Sequence, residues 1–199
     1  MSKTRLPRLK SLCVFCGSSA GTDPAYREAA LRLGRRMAAE GVKLVYGGGH
    51  LGLMGTLAET VITSGGQVIG IIPEHLTRVE KAYDDVTELH VVDSMHTRKH
   101  KMFNMADAFA VLPGGMGTMD ETFEILTWKQ LRLHTKPVIV VNQQGYWQPW
   151  IDLAGHIIGN GFAHPETARL YSVVDDVDQV LDAARADLAH SVKGEPGLF

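Results

Sequence analysis

"AFAVLPGGMGTMDE", residues 108–121, runs an unbroken apolar segment into three glycines, a threonine and an Asp-Glu pair. Apolar residues without in-out alternation read as a strand buried on both faces, as in a parallel sheet covered by helices. The switch after Pro113 marks the junction where such a strand hands over to a helix. Similar apolar runs occur as SLCVF (11–15), KLVY (43–46), QVIGII (67–72), ELHVV (88–92), PVIVV (137–141) and YSVV (171–174). Between the first two lies PAYREAALRLGRRMAAEG, with Pro24 at its opening, alanine and leucine at helical spacing and Gly41 as a stop. Further helices are expected near 53–64, 95–105, 118–133, 148–159 and 176–188. This alternation predicts an α/β protein with a single-domain, Rossmann-like, doubly wound parallel sheet flanked by helices. The expected layout is a flexible basic N-terminus over 1–10, one domain over 11–188 and a loose C-terminal tail over 189–199.

The bulk composition fits that plan. A chain of 199 residues with 45% hydrophobic content can bury one full core. Its 20 Lys and Arg face 22 Asp and Glu, a net charge of −2 that gives no general attraction to nucleic acid or to a membrane surface. The opening MSKTRLPRLK lacks an apolar segment of signal-peptide length, and no uncharged apolar stretch is long enough to span a bilayer, so a cytoplasmic location is expected. Cys13 and Cys16 match the C-x-x-C redox spacing, but LCVF reads as a buried strand with Cys16 at its end, and along a strand positions three apart point to opposite faces. A structural role for both is expected, and a zinc site needs more ligands than this pair supplies.

In doubly wound sheets, ligands sit beyond the carboxyl ends of the strands. Three loops there are glycine-rich: CGSSAG after the first strand, GGGHLGLMG after the second and PGGMGT after the fifth. Glycine lets backbone N–H groups approach an anion closely, and helix N-termini favour negative charge. Gly47, Gly49 and Gly52 satisfy G-x-G-x-x-G, but the fingerprint belongs after the first strand and needs an acidic residue ending the next one, where Pro73 stands instead. A P-loop is excluded, since no Gly-Lys-Ser/Thr follows any of these loops.

SMHTRKHKM, residues 94–102, opens the helix after the fourth strand with Arg98, Lys99 and Lys101 beside His96 and His100. Residues 96, 99 and 100 share one helical face, and 98 and 101 another. The histidines have i, i+4 spacing, but no nearby acid completes a metal set, so no metal is expected. Arg98, in the first turns of a helix at the ligand edge, suits a phosphate or a purine edge. Glu121 admits two roles. Thr118 and Glu121 form T-x-x-E, the capping box; alternatively the loop amides hold a phosphate while Glu121 meets the attached sugar. Asp120 lies about 100° round the helix, which does not make a glycosidase-style pair.

PGGMGTMDE resembles the PGGxGTxxE signature, and SMHTRKHKM the accompanying Arg-Lys segment, of the Lonely Guy family of cytokinin riboside monophosphate phosphoribohydrolases, often mislabelled lysine decarboxylases. FCGSS, YGGGHLGLMG and KPVIVVN extend the likeness from about residue 12 to residue 142. Met116 stands where many members carry tyrosine, and Asp120 where many carry glutamate. The resemblance implies a Rossmann-like homodimer that hydrolyses the N-glycosidic bond of a nucleoside 5'-monophosphate, giving free base and ribose 5-phosphate without a metal or redox cofactor. It implies Arg98 and Glu121 as the catalytic pair. Substrate-binding positions would be Gly17, Ser18, Ser19, Gly48, Gly49, Met95, Lys99, Gly114, Gly115, Gly117 and Thr118. The substrate could be AMP or an N6-modified adenosine monophosphate; Met54, Met95, Met102 and Met119 are either an apolar prenyl site or core filler. Apolar residues on more than one face of helix 118–133 fit either a subunit contact or a buried central helix, and the resemblance favours the homodimer. The rival is a sensor or carrier that binds a nucleotide without cleaving it.

Overall fold

The computed structural model describes residues 8–191. Seven strands, β1 (Ser11–Phe15), β2 (Lys43–Tyr46), β3 (Val68–Pro73), β4 (Glu88–Val92), β5 (Ala108–Val111), β6 (Val138–Val141) and β7 (Ser172–Val174), form one sheet in the order β4-β3-β2-β1-β5-β6-β7. Every pairing is parallel. Helices α1 (Pro24–Ala39), α2 (Gly52–Thr63), α3 (Met95–Met105), α4 (Met116–Gln130), α5 (Gln148–Gly159) and α6 (Val180–Ser191) cover both faces. The chain winds outward from β1 to β4, then returns to lay β5 against the free side of β1, with Leu12 opposite Ala108. That reversal opens a crevice at the carboxyl ends of β1 and β5.

Burial on both faces accounts for the apolar strands. Leu33, Met37, Leu57 and Val61 of α1 and α2, with Val180 and Leu181 of α6, pack one face of the sheet. Met102, Ile125, Leu126 and Trp150 of α3, α4 and α5 pack the other, around Phe15, Ile71 and Phe109. Cys13 belongs to the second layer and Cys16 to the first. Both are free, buried thiols whose pKa values desolvation raises, which agrees with the structural role expected of them.

Three boundaries differ from expectation. Within the predicted flexible segment 1–10, residues 1–7 lie outside the described residues, but Leu9 is buried in the core and the Lys10 N–H donates to the Asp107 carboxylate at 2.8 Å. Within the predicted tail 189–199, residues 192–199 lie outside the described residues, while α6 continues through Ser191. The third is α4, which starts at Met116 with Gly115 as its N-cap and no side-chain cap. The capping box is therefore not formed. Glycines offer no side chain to stop the helix from beginning inside the loop, and Thr118 ends up in its first turn, buried beside Gly114.

Candidate active site

Loop geometry at the crevice centres on the Gly17 peptide. Its N–H donates to the Pro113 carbonyl at 3.0 Å, and its carbonyl accepts from Leu53 at 3.0 Å and Met54 at 3.3 Å. One residue thus ties together the loops after β1, β2 and β5. Gly52, at φ +59°, lets α2 begin hard against the Ser18–Ser19 backbone, where a Cβ would collide. The carbonyl of Gly17 thus takes up the Leu53 and Met54 amides in the first turn of α2, which leaves fewer of them for an anion.

The loop after β5 is different. N–H groups of Met116, Gly117 and Thr118 find no acceptor among the described residues, and a Cβ at Gly115 or Gly117 would meet open space. A helix beginning with open amides and no side chains in front of them favours an anion. Gly114 is packed tightly against the Thr118 side chain, and its carbonyl accepts from the Tyr146 hydroxyl at 2.6 Å. Ser18 and Ser19 stand exposed on the neighbouring loop. Gly48 and Gly49 are buried beneath the crossover segment 74–87, which pairs with them through Tyr83 N–H to Gly48 O at 3.1 Å and a bridge between Gly49 and Ala82.

Arg98, only 4% exposed, reaches this edge from α3. Its Nε donates to the Ile71 carbonyl at 3.2 Å and its Nη2 to the Gly47 carbonyl at 2.9 Å. Nη2 also pairs with Glu80 at 3.5 Å, while among the described residues Nη1 has only the Met95 sulfur at 3.7 Å. A side chain at Gly47 would run into the guanidinium, so glycine there is a condition of Arg98's position.

Glu121 sits one turn into α4. Desolvation pushes its carboxyl pKa up to about 7; the charges of Arg98 and Lys99 oppose that shift, and those of Glu80 and Asp120 add to it. Part of the residue's surface is open, yet loss of water around the carboxylate dominates. No ion pair joins Glu121 to Arg98 among the described residues. Lys99 pairs instead with Asp120 and Glu124, each at 3.1 Å, and so links α3 to α4. That engagement leaves Glu121 as the uncommitted carboxylate of the pair. Met54 and Met102 are core residues, and Met119 lines a shallow cleft with Val111, Thr122, Val140, Trp147 and Trp150.

Gly47, Glu80 and Tyr146 were not singled out as site residues from the sequence. Gly47 had a signal, in the glycine run after β2; Glu80 and Tyr146 lie in segments without periodicity and reach the site only through the fold.

Open amides at the switch point suit an anionic group, at the place where doubly wound sheets take their ligands. A carboxyl group titrating near neutrality beside a fixed guanidinium points to chemistry at that site. Residues 54–184 match the family model described as possible lysine decarboxylase. A cytokinin riboside 5'-monophosphate phosphoribohydrolase of Rhodococcoides fascians is 44% identical over 181 residues, 90% of this chain and 91% of that protein. One of the same name from Arabidopsis thaliana is 42% identical over 163 residues, 82% of this chain and 75% of that protein. Among solved structures, the molybdenum cofactor carrier protein of Chlamydomonas reinhardtii shares the fold at a TM-score of 0.67 and 22% identity, over 92% of this chain and 99% of that one. The chain belongs to the family of cytokinin riboside 5'-monophosphate phosphoribohydrolases, the Lonely Guy family whose motifs it carries.

Proposed function

We propose that the protein hydrolyses the N-glycosidic bond of a purine nucleoside 5'-monophosphate, either AMP or an N6-modified adenosine monophosphate, to free base and ribose 5-phosphate. The observation that carries this reading is the Glu121 carboxyl, poised at about 7 one turn behind the open amides of α4. With the 5'-phosphate on the amides of Met116, Gly117 and Thr118, one turn of helix, a rise of about 5 Å, sets Glu121 beside the ribose. As the bond from C1' to the base breaks, its electron pair leaves with the base and the ribose gains oxocarbenium character. Ionised Glu121 stabilises that charge and takes a proton from the water that attacks C1'. The hydroxide adds to C1', and the departing base ends with the proton. Arg98 offers Nη1, the nitrogen that no carbonyl holds, to the phosphate or to the developing charge on the base. The reaction balances with water alone and is redox-neutral.

The decarboxylase description of the family model finds no support in the lysines. A Schiff-base lysine needs a lowered pKa. Burial alone would depress Lys99, but its hydrogen bonds to Glu124 and Asp120 raise it. Lys129 and Lys136, which burial does depress, stand at the last turn of α4 and just before β6, the opposite edge of the sheet from the glycine loops.

The exposed apolar side chains of Met116, Phe123, Leu131 and Leu133, on α4 and just beyond it, support a homodimer that covers this helix. No helix among the described residues is long and apolar enough to cross a membrane. Two free thiols are in keeping with a reducing, cytoplasmic setting.

The test is chromatographic. Purified protein is incubated with AMP and with isopentenyladenosine monophosphate, and free base and ribose 5-phosphate are followed for wild type and Glu121→Gln. Release by wild type alone is the expected result, and the ratio of the two rates sets the substrate preference. Recovery of both nucleotides intact from a stable complex would make the protein a carrier or sensor.

A further inference from the structure

Glu80 enters the site from the segment between β3 and β4, which packs onto the loop after β2. The Glu80 carbonyl accepts from the His50 N–H at 3.0 Å, its N–H donates to the Leu76 carbonyl at 2.9 Å, and Ala82 N–H closes back on the Thr77 carbonyl at 2.8 Å. Lys81 follows at φ +49°, a left-handed conformation that residues with a side chain rarely adopt. The backbone on both sides of residue 80 is therefore tied down, and its Cβ lies against Gly49. The side chain, 19% exposed, points its carboxylate at Nη2 of Arg98, 3.5 Å away, on the same nitrogen that donates to Gly47.

We propose that Glu80 is a positioning residue of this active site: its carboxylate takes the face of the Arg98 guanidinium that Glu121 would otherwise claim, so Arg98 stays aimed and Glu121 stays unpaired. This rests on the phosphoribohydrolase reading. Both carboxylates feel the charge of one buried cation, and Glu80 is the one that pairs with it, which leaves Glu121 free to react. The guanidinium is held at Nε and Nη2 by the Ile71 and Gly47 carbonyls and by Glu80, which leaves Nη1, with its long contact to the Met95 sulfur at 3.7 Å, as the donor that no oxygen holds among the described residues. The groups around Glu121 are Arg98 and Lys99 from α3, Asp120 from α4, Glu80 from the crossover, and the buried thiols Cys13 and Cys16 of β1 and its end. After desolvation and the opposing Arg98 charge, the Glu80 charge does most to raise Glu121's proton affinity.

Glu80→Gln tests the charge without disturbing the strap, because the hydrogen bonds at residue 80 that dock it are made by its backbone. Glu80→Asp keeps the charge and shortens its reach. Two readouts apply to both variants: kcat and KM with the turned-over nucleotide across the neutral pH range, and the carboxyl titration of Glu121 by NMR without substrate. Glu80→Gln is expected to lower kcat by about ten- to a hundredfold with KM little changed, as for a misplaced catalytic group. The Glu121 midpoint should move to lower pH, and Glu80→Asp should restore part of the rate and of the midpoint. An unmoved Glu121 midpoint in Glu80→Gln overturns the proposal, as does an equal loss of rate in both variants with no change in pH profile. Absence of base release by wild type would instead sink the functional reading, while the NMR titration still decides the role of Glu80.

Discussion

At Glu121, the property that suits catalysis works against folding. The carboxyl has a higher pKa in the folded state, about 7, than the ordinary 4.5, so the folded protein holds that proton more tightly. Stability linked to this group is full below pH 4.5 and falls as pH rises towards 7; above that, the buried charge costs up to about 3 kcal/mol. Glu121→Gln should therefore unfold at higher temperature than wild type at pH 8, with the gain shrinking at pH 5, while turnover falls about a hundredfold or more. Thermal melts at the two pH values check this, and an equal gain at both would show that buried charge is not the cause. The sequence made Glu121 legible through its motif, but it also offered a capping box that the fold does not form. A helix start within four consecutive positions containing three glycines has no side chain to fix it, and T-x-x-E alone cannot say that Gly115 comes first.

Helix α4 carries the argument for phosphate in its first turn. Gly114 and Gly117 separate packing from binding there. Gly114→Ala drives a methyl group into the Thr118 side chain and should both lower the melting temperature and raise KM, by about tenfold or more for the loss of a charge-assisted contact. Gly117→Ala meets no protein atom, so its melting temperature should hold or rise slightly while KM still increases, because the methyl group enters the space of the ligand. Steady-state kinetics and melts on the pair suffice, and an unchanged KM in both would move the phosphate elsewhere. Strands were the most legible elements, since burial on both faces leaves a continuous apolar signature. The crossover 74–87 was the least legible: it owes its shape to backbone pairing with the glycine loop, and nothing in its side-chain pattern announces that it delivers Glu80 to Arg98.

For the whole molecule, alternation of strand and helix was enough to foresee the parallel sheet, whereas the surfaces left over by that fold became visible only with the helices in place. Phe123, Leu131 and Leu133 are 40%, 63% and 67% exposed, apolar surface that a second copy docked on α4 would cover. Sedimentation should show a species of twice 21.8 kDa, and Leu131→Glu with Leu133→Glu should return it to the monomer mass. A wild-type monomer would contradict the dimer. The Gly17 peptide has a further consequence at this scale. Its bond to Pro113 spans 96 positions of chain, and with its bonds to α2 it makes the geometry of three loops depend on one late, non-local pairing. Closure of the first β-α units alone would leave the loops after β1 and β2 without their tie to the loop after β5. Recovery of activity during refolding would thus keep time with the docking of β5 beside β1, making the enzyme its own clock for the completion of the sheet.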